Sequence, residues 1–331
     1  MTSPASPTTP SDSPHAGETA ITVGNFDGVH VGHASIIRAC RQAVGQGGKV
    51  VAFAFDPHPA SFLAPERAPA RLSTFAQRSR WLIDAGASEV HQLAPGKDLL
   101  GLTPEAFVNQ ILMPFAPGLI VEGEDFHFGK GRAGNLQTLA DLGRTRGFRV
   151  AKAPGVQVAL DNQHIIRASS SAARWLVAQG RVRDAQAVLG RPYTVGATVV
   201  QGDQRGRTIG FPTANLAISQ LLPVDGVYTG WISGPDGTPH IAAINVGNRP
   251  TFNGIERRIE VFAANPDATP AKLPSEYGWQ TSVTFEHWIR EDLRFAGFAV
   301  LVAQIHRDVE RSIELMHFEA AHRTVSVSFA L

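Results

Sequence analysis

A chain of 331 residues exceeds one ordinary domain and predicts two. Its formal net charge of +1, without a long basic run, gives no sign of a polyanion partner such as DNA, so any phosphate sites must be local. The single cysteine, Cys40, excludes an internal disulfide. No apolar stretch is long enough to span a membrane, and the N-terminus lacks the basic and apolar regions of a signal peptide. A soluble cytoplasmic protein is expected.

Residues 1–17 are Ser, Thr and Pro with almost nothing to bury and predict a disordered tail. From 18 to about 160, apolar strand candidates (20–24, 49–55, 89–93, 118–122 and one near 148–152) alternate with helical stretches, among them 33–45 and 104–114. Such alternation predicts a doubly wound parallel sheet covered on both faces, with ligands at the carboxyl ends of its strands. The first strand runs into GNFDGVHVGH, residues 24–33. Glycines 24, 28 and 32 allow close backbone approach, and the helix that opens at about Gly32 offers unpaired N–H groups to an anion. His30 and His33, three apart, fall on one side of a first helical turn, where imidazoles could stabilise charge developing on a phosphate. The same pair, with Asp27, could instead ligate a metal or serve a structural turn, although no Cys or third His nearby completes a closed site.

Further on, DPHP (56–59) reads as a rigid turn in which His58 is as readily a packed residue as a ligand contact. The stretch EGEDFHFGKGRAGN (122–135) holds a formal GxGxxG at Gly129, Gly131 and Gly134. It follows the fourth strand at a distance, and the next strand, FRVAKA, ends without an acid, which argues against a nicotinamide site. A loop whose Lys130 and Arg132 approach phosphate is the better reading. Ser169, Ser170 and Ser171 then precede a helix carrying Arg174.

After about 190 the rhythm becomes strand after strand: 193–200, 226–233, 240–246, 257–263 and 280–287, closed by an amphipathic helix over 298–320 with Ile305, Val309, Ile313 and Met316 as its stripe. A small antiparallel barrel is expected. Its landmark, GDQRGRTIGFPTANL (202–216), reads as a phosphate-wrapping loop in which Thr213 and Asn215 offer neutral oxygens to magnesium. No Walker A sequence occurs in either half. In RRIEVFA, alternation sets Glu260 opposite Ile259 and Val261, a position equally compatible with an idle exposed carboxylate.

The first landmark resembles the HxGH signature of nucleotidyltransferases in its GxFDGVHxGH form, and the whole set resembles the prokaryotic bifunctional riboflavin kinase/FAD synthetases. DPHP, RLSTFAQRSRWLIDAG, GLTPEAFV, the 122–135 stretch and SSSAAR, similar to SSTxIR, continue the FMN adenylyltransferase half. GRPY, the PTAN stretch, PVDGVYTGW, NVGNRPTF, RIEV and VTFEHWIREDLRF continue the riboflavin kinase half. The resemblance implies an adenylyltransferase domain over 18–186, a kinase domain over 187–320 and a tail over 321–331.

It implies an adenylyltransferase ATP site of Gly24, Phe26, Asp27, Gly28, His30, His33, Gly123, Asp125, Phe126, Lys130, Arg132, Asn135, Ser169, Ser170, Ser171 and Arg174, with His30 and His33 catalytic. In the kinase half it implies Glu260 as base and Gly202, Arg205, Gly206, Arg207, Gly210, Pro212, Thr213 and Asn215 around ATP, the last two holding Mg2+. Arg290, Asp292 and Phe295 would contact the flavin. Departures are Ala173 for a bulky aliphatic, Phe262 to Pro266 where the family has HLLDF, and Asp292 for a glutamate. Expected partners are the small molecules riboflavin, FMN, FAD, ATP, ADP and pyrophosphate, with no nucleic acid or membrane, for a monomer or weak homo-oligomer. Two alternatives are an HxGH transferase with another phosphate acceptor and a flavin-binding regulatory protein with an impaired kinase site.

Overall fold

The computed structural model describes residues 17–202, 206, 210–251, 254–274 and 276–327. The expected N-terminal tail to residue 16 and the end of the C-terminal tail fall outside them, as do Arg205 and Arg207. By internal contacts the chain divides into two compact units, residues 1–69 with 75–157, and residues 70–74 with 158–331.

In the first unit, β1 (Thr19–Gly24), β2 (Lys49–Phe55), β3 (Glu89–Leu93), β4 (Pro117–Gly123) and β5 (Arg149–Ala153) form a wholly parallel sheet in the order β3-β2-β1-β4-β5. This is the doubly wound arrangement the strand–helix alternation predicts, with its switch point between β1 and β4. The near-continuous apolar strands follow from burial on both faces. On one face α1 (Val31–Val44) packs Ile37, Cys40 and Val44 over Val50 and Ala52. On the other, Phe107, Val108, Leu112 and Leu139 cover Ile21, Val23, Phe53 and Ile120. Burial pushes the Cys40 thiol up to about 12, so it packs as a small hydrophobe.

The helix expected over 104–114 is broken. Thr103 caps a short α turn, Pro104–Phe107, by accepting from Ala106 N at 3.2 Å; a wider π turn, Val108–Leu112, and a 3-10 turn, Met113–Phe115, follow. The wider turn keeps Phe107, Val108 and Leu112 buried together, and Pro114, which has no N–H, cannot continue an α-helix.

In the second unit, α2 (Ser170–Ala178) and α3 (Val182–Leu189) lead into a closed six-stranded antiparallel barrel. Its strands are β6 (Tyr193–Val200), β7 (Thr213–Ala217), β8 (Gly226–Ser233), β9 (Pro239–Thr251), β10 (Gly254–Ala264) and β11 (Gln280–Arg290), in the order β6-β7-β10-β9-β8-β11. The α4 helix (Phe298–Val327) lays Val309, Ile313 and Met316 against Ile241, Ala243, Phe211 and Phe262. One expectation needs correction. Thr213–Ala217, read as part of a loop, is a barrel strand paired with β6 and β10. By packing, the second unit also takes in residues 158–186, with α3 lying against β6 and β11. Residues Ala70–Thr74 also join this unit, where Leu221 N donates to Arg71 O (2.7 Å) and Gln220 Nε2 to Leu72 O (2.8 Å).

One polar group is built into the first sheet. The β1–β4 ladder pairs residues only as far as Ile21 with Ile120; beyond that, Val23 N donates to the Glu122 Oε1 carboxyl at 2.6 Å. Glu122 is buried, and loss of water around it raises its pKa well above the ordinary 4.5. A proton held by the folded state and released by the unfolded chain makes stability fall as pH rises from that ordinary value toward the folded one. Glu122→Gln removes the titration while keeping an acceptor for Val23. Melting curves from about pH 5 to about pH 8 should therefore show the variant gaining on the parent as pH rises; a gap independent of pH would refute a protonated Glu122.

Candidate functional site

The carboxyl end of β1 delivers Gly24 into a tight turn with Phe26, Gly28 and Val29 at positive φ (49°, 78° and 38°), closed by Val29 N donating to Phe26 O at 2.9 Å. Phe26 and Asp27 are buried. The turn ends at His30, which is the N-cap of α1 and not a first-turn residue as the spacing predicts: its Nδ1 accepts from Gly32 N at 3.1 Å. His33 follows as the third helical residue, its ring stacked on His30 with centroids 3.7 Å apart and 29° between planes. Phe26 meets His33 edge-on at 5.0 Å. The pair is thus together, as expected. The cap bond puts the proton of a neutral His30 on Nε2, making that atom a hydrogen-bond donor.

A cavity of about 550 Å3 opens beside this turn at the strand ends. Gly24, Asp125, Phe126 and Arg132 line it, with apolar walls from Leu63, Leu99, Phe107 and Phe128. Gly123 ends β4. Lys130 donates through its backbone to Leu102 O at 2.7 Å, and the Gly131–Arg132 bend carries positive φ at both residues. Asn135 is a helix cap, accepting from Thr138 N at 3.0 Å, so its side chain is committed to the helix Leu136–Arg146. Asn25 and His58 also line the cavity, the Asn25 amide nitrogen standing 3.2 Å from His58 Nε2. The sequence left Asn25 unmarked and His58 undecided; that both follow parallel neighbours β1 and β2 was the available signal.

Arg78 was missed as well. Buried within the helix Phe75–Asp84, it donates to Asn25 O (2.8 Å) and Phe55 O (2.8 Å) and forms an ion pair with Asp56. One guanidinium therefore ties the ends of β1 and β2 together, a fork geometry that lysine cannot reproduce.

The serine segment belongs to the second unit. Ser169 caps α2 by accepting from Ala172 N at 3.1 Å, Ser170 and Ser171 form its first turn, and Arg174 Nε donates to Ala70 O at 2.7 Å. Ala173 is buried with Leu176 and Val177.

In the barrel, two cavities meet at Thr213, which lines both. The first, about 250 Å3, holds Glu260, Arg290, Asp292 and Phe295, with Asn245, Phe262 and Ile305 on its walls. Arg290 is held by Asp308 through Nε and Nη2 (3.0 and 2.7 Å) and stands over the Phe295 ring at 5.7 Å. Glu260 sits in register with Asn215 on one side and Asn245 on the other, while Ile259 and Val261 face the core. The second cavity, about 170 Å3, contains Gly202, Pro212 and Asn215. A Cβ at Gly202 would lie 2.0 Å from Asn215 Nδ2, so any other residue there would displace the Asn215 amide. Gly206 is constrained more firmly, by the backbone Phe211 O, and Gly210 has φ 86°. Strand β10 ends at Ala264, two residues before Pro266, and the departure Phe262 fills the first cavity's wall against Phe211 at 5.2 Å.

The profile of the FAD synthetase family matches residues 12–169, and that of the riboflavin kinase family residues 189–316. A bifunctional riboflavin kinase/FMN adenylyltransferase of Escherichia coli K12 is 33% identical over 294 residues, 87% of this chain and 90% of that protein. One from Pseudomonas fluorescens is 34% identical over 313 residues, 91% and 94% of the two chains. A solved structure titled a macrolide-efflux protein from Streptococcus pneumoniae has a TM-score of 0.77 at 28% identity, covering 89% of this chain and 93% of its own. Among the described residues no helix is long and apolar enough to cross a membrane.

Arg78→Met should destabilise the first unit by about 3 kcal/mol, since it takes the partner from a buried ion pair. Urea unfolding followed by circular dichroism reads this; a loss under about 1 kcal/mol would mean that water replaces the guanidinium.

Proposed function

The chain belongs to the bifunctional riboflavin kinase/FMN adenylyltransferase family, and from that footing we propose how its residues carry the two reactions. The activities are ATP-dependent phosphorylation of riboflavin to FMN, and adenylylation of FMN by ATP to FAD with release of pyrophosphate. An enzyme with another acceptor, or a decayed flavin binder, is not favoured once both halves match.

The kinase reaction belongs to the barrel, and the observation that carries this is Thr213 at the junction of two cavities. Riboflavin takes the cavity of Glu260, with its isoalloxazine near Phe295 and Arg290; ATP takes the other. Glu260 accepts the proton of the ribityl 5′-hydroxyl as that oxygen attacks the γ-phosphorus, ADP leaves, and FMN results. Asn245, paired beside Glu260, orients the carboxylate or the hydroxyl. Thr213 and Asn215 fit a magnesium ion: Asn215 Oδ1 is buried without a hydrogen-bond partner among the described residues, and two neutral oxygens suit an ion that keeps several waters. Bound there, it would neutralise charge on the transferring phosphoryl group.

The adenylyl transfer belongs to the first unit. FMN occupies the cavity at the strand ends, and its phosphate oxygen attacks the α-phosphorus of ATP. A phosphate is already ionised, so no general base is required. His30 donates from Nε2 to the transition-state charge, His33 stacks against it to hold the ring, and Gly24 to Gly32 let the backbone approach the triphosphate.

His30→Asn separates the two uses of this histidine, because asparagine is a good N-cap without the imidazole donor. Melting temperature should hold while FAD formation from supplied FMN falls about 100-fold or more; unchanged FAD synthesis would rule the donor role out. Glu260→Gln should lower riboflavin phosphorylation about 100- to 10,000-fold and spare adenylylation of supplied FMN. Equal loss of both activities would instead report a folding defect.

A further inference from the structure

The second barrel cavity contains another buried polar atom that the mechanism does not use. Trp279 lines it, and its indole Nε1 is buried without a hydrogen-bond partner among the described residues. Its position is set by the barrel. Val199 N donates to Trp279 O at 3.0 Å and Gly278 N to Val199 O at 2.7 Å, which extends the β6–β11 ladder by one step beyond the Thr198–Gln280 pair. Gln280 Nε2 adds a bond to Thr198 Oγ1 at 2.8 Å. The indole is therefore presented by a strand end and not by a mobile side chain on a free loop.

A buried donor with no acceptor is rare in folded proteins, because it forgoes its bond to water without replacement. The other polar groups of this wall, Lys272, Glu276 and the Tyr277 hydroxyl, belong to exposed residues that water can serve. An indole offers a flat apolar face and one N–H, the complement of a flat heterocycle that bears a ring-nitrogen acceptor. Resting on the reading that this cavity takes the kinase's ATP, we propose that Trp279 determines nucleotide specificity in the phosphorylation of riboflavin, its Nε1–H donating to a ring nitrogen of the adenine base. Asn215 and Thr213 then hold the phosphate end of the cavity, and Trp279 its base end. A site built to donate to a heterocyclic nitrogen rejects an analogue that carries C–H there, since the donor is then left buried and unpaired.

The test pairs atom deletions on the two partners. Riboflavin phosphorylation is measured with ATP and with 1-deaza-, 3-deaza- and 7-deaza-ATP, in the parent and in Trp279→Phe, which keeps an aromatic ring and removes the N–H. One deaza analogue should raise the parent's KM about 10-fold with kcat little changed. The variant should show the same rise already with ATP, and no further rise with that analogue. Parent kinetics indifferent to all three analogues would overturn the proposal, as would a deaza penalty that persists undiminished in the variant.

Circular dichroism and a melting curve with both units unfolding as in the parent report whether the variant's barrel is folded. Should it not fold, the indole 1H–15N resonance of Trp279 in the parent decides: it moves downfield on adding a non-hydrolysable ATP analogue if the N–H gains an acceptor, and an unmoved resonance refutes the contact. A parent that fails to phosphorylate riboflavin with ATP would refute the kinase reading itself. Normal kinase activity with all three analogues accepted would refute this inference alone.

Discussion

The first unit depends on how β1 and β4 part company. A parallel sheet whose strand order reverses must open a crevice there, and opening it strands backbone donors that the ladder would otherwise serve. Val23 N is such a donor, and the Glu122 carboxyl, whose pKa burial raises, takes the place of the missing strand carbonyl. The two strands can thus diverge beyond the Ile21–Ile120 pair with Val23 N still bonded. The glycine turn, the His30 cap and the mouth of the cavity all begin at that point of divergence. Burial disfavours the charged carboxylate there, so the rise in the Glu122 pKa works against a negative charge behind the strand ends.

The barrel meets a related demand differently. Closure removes sheet edges, so substrates cannot add to a strand and must enter through the barrel's ends and loops. Gly202 lets the backbone just after β6 approach the Asn215 amide, and Arg290 is clamped by Asp308 of the closing helix. The cavity wall is therefore shared between strands and helix: Phe262 packs with Phe211 on the strand side, and Ile305 stands on the helix side. The sequence departure at Phe262 becomes intelligible here, because the residue supplies apolar wall where the family pattern has histidine.

Much of this was legible beforehand because it is local. The strand–helix alternation, the glycine spacing of residues 24–33 and the stripe of Val309, Ile313 and Met316 each express one element's own periodicity. What escaped depends on approach between distant segments. Thr213–Ala217 is five residues following a proline, too short to announce itself as a strand until β6 and β10 flank it. Arg78 reads as one more helical arginine until Phe55 and Asn25 bring their carbonyls to it. Asn135 and His30 carry the opposite lesson: both were marked for ligand, and both spend a side-chain atom capping a helix. Capping and ligand binding draw on the same short polar side chains at the same helix ends, and spacing alone does not separate them.

The lone cysteine has a practical consequence. Cys40 is sealed beneath α1 with its thiol poorly ionised, so thiol-directed reagents find little to react with in the folded protein. A cysteine introduced on the surface of either unit would carry a fluorophore or spin label at that one address, with no need to mutate the core first. Phosphorylation and adenylylation could then be timed separately within the same molecule.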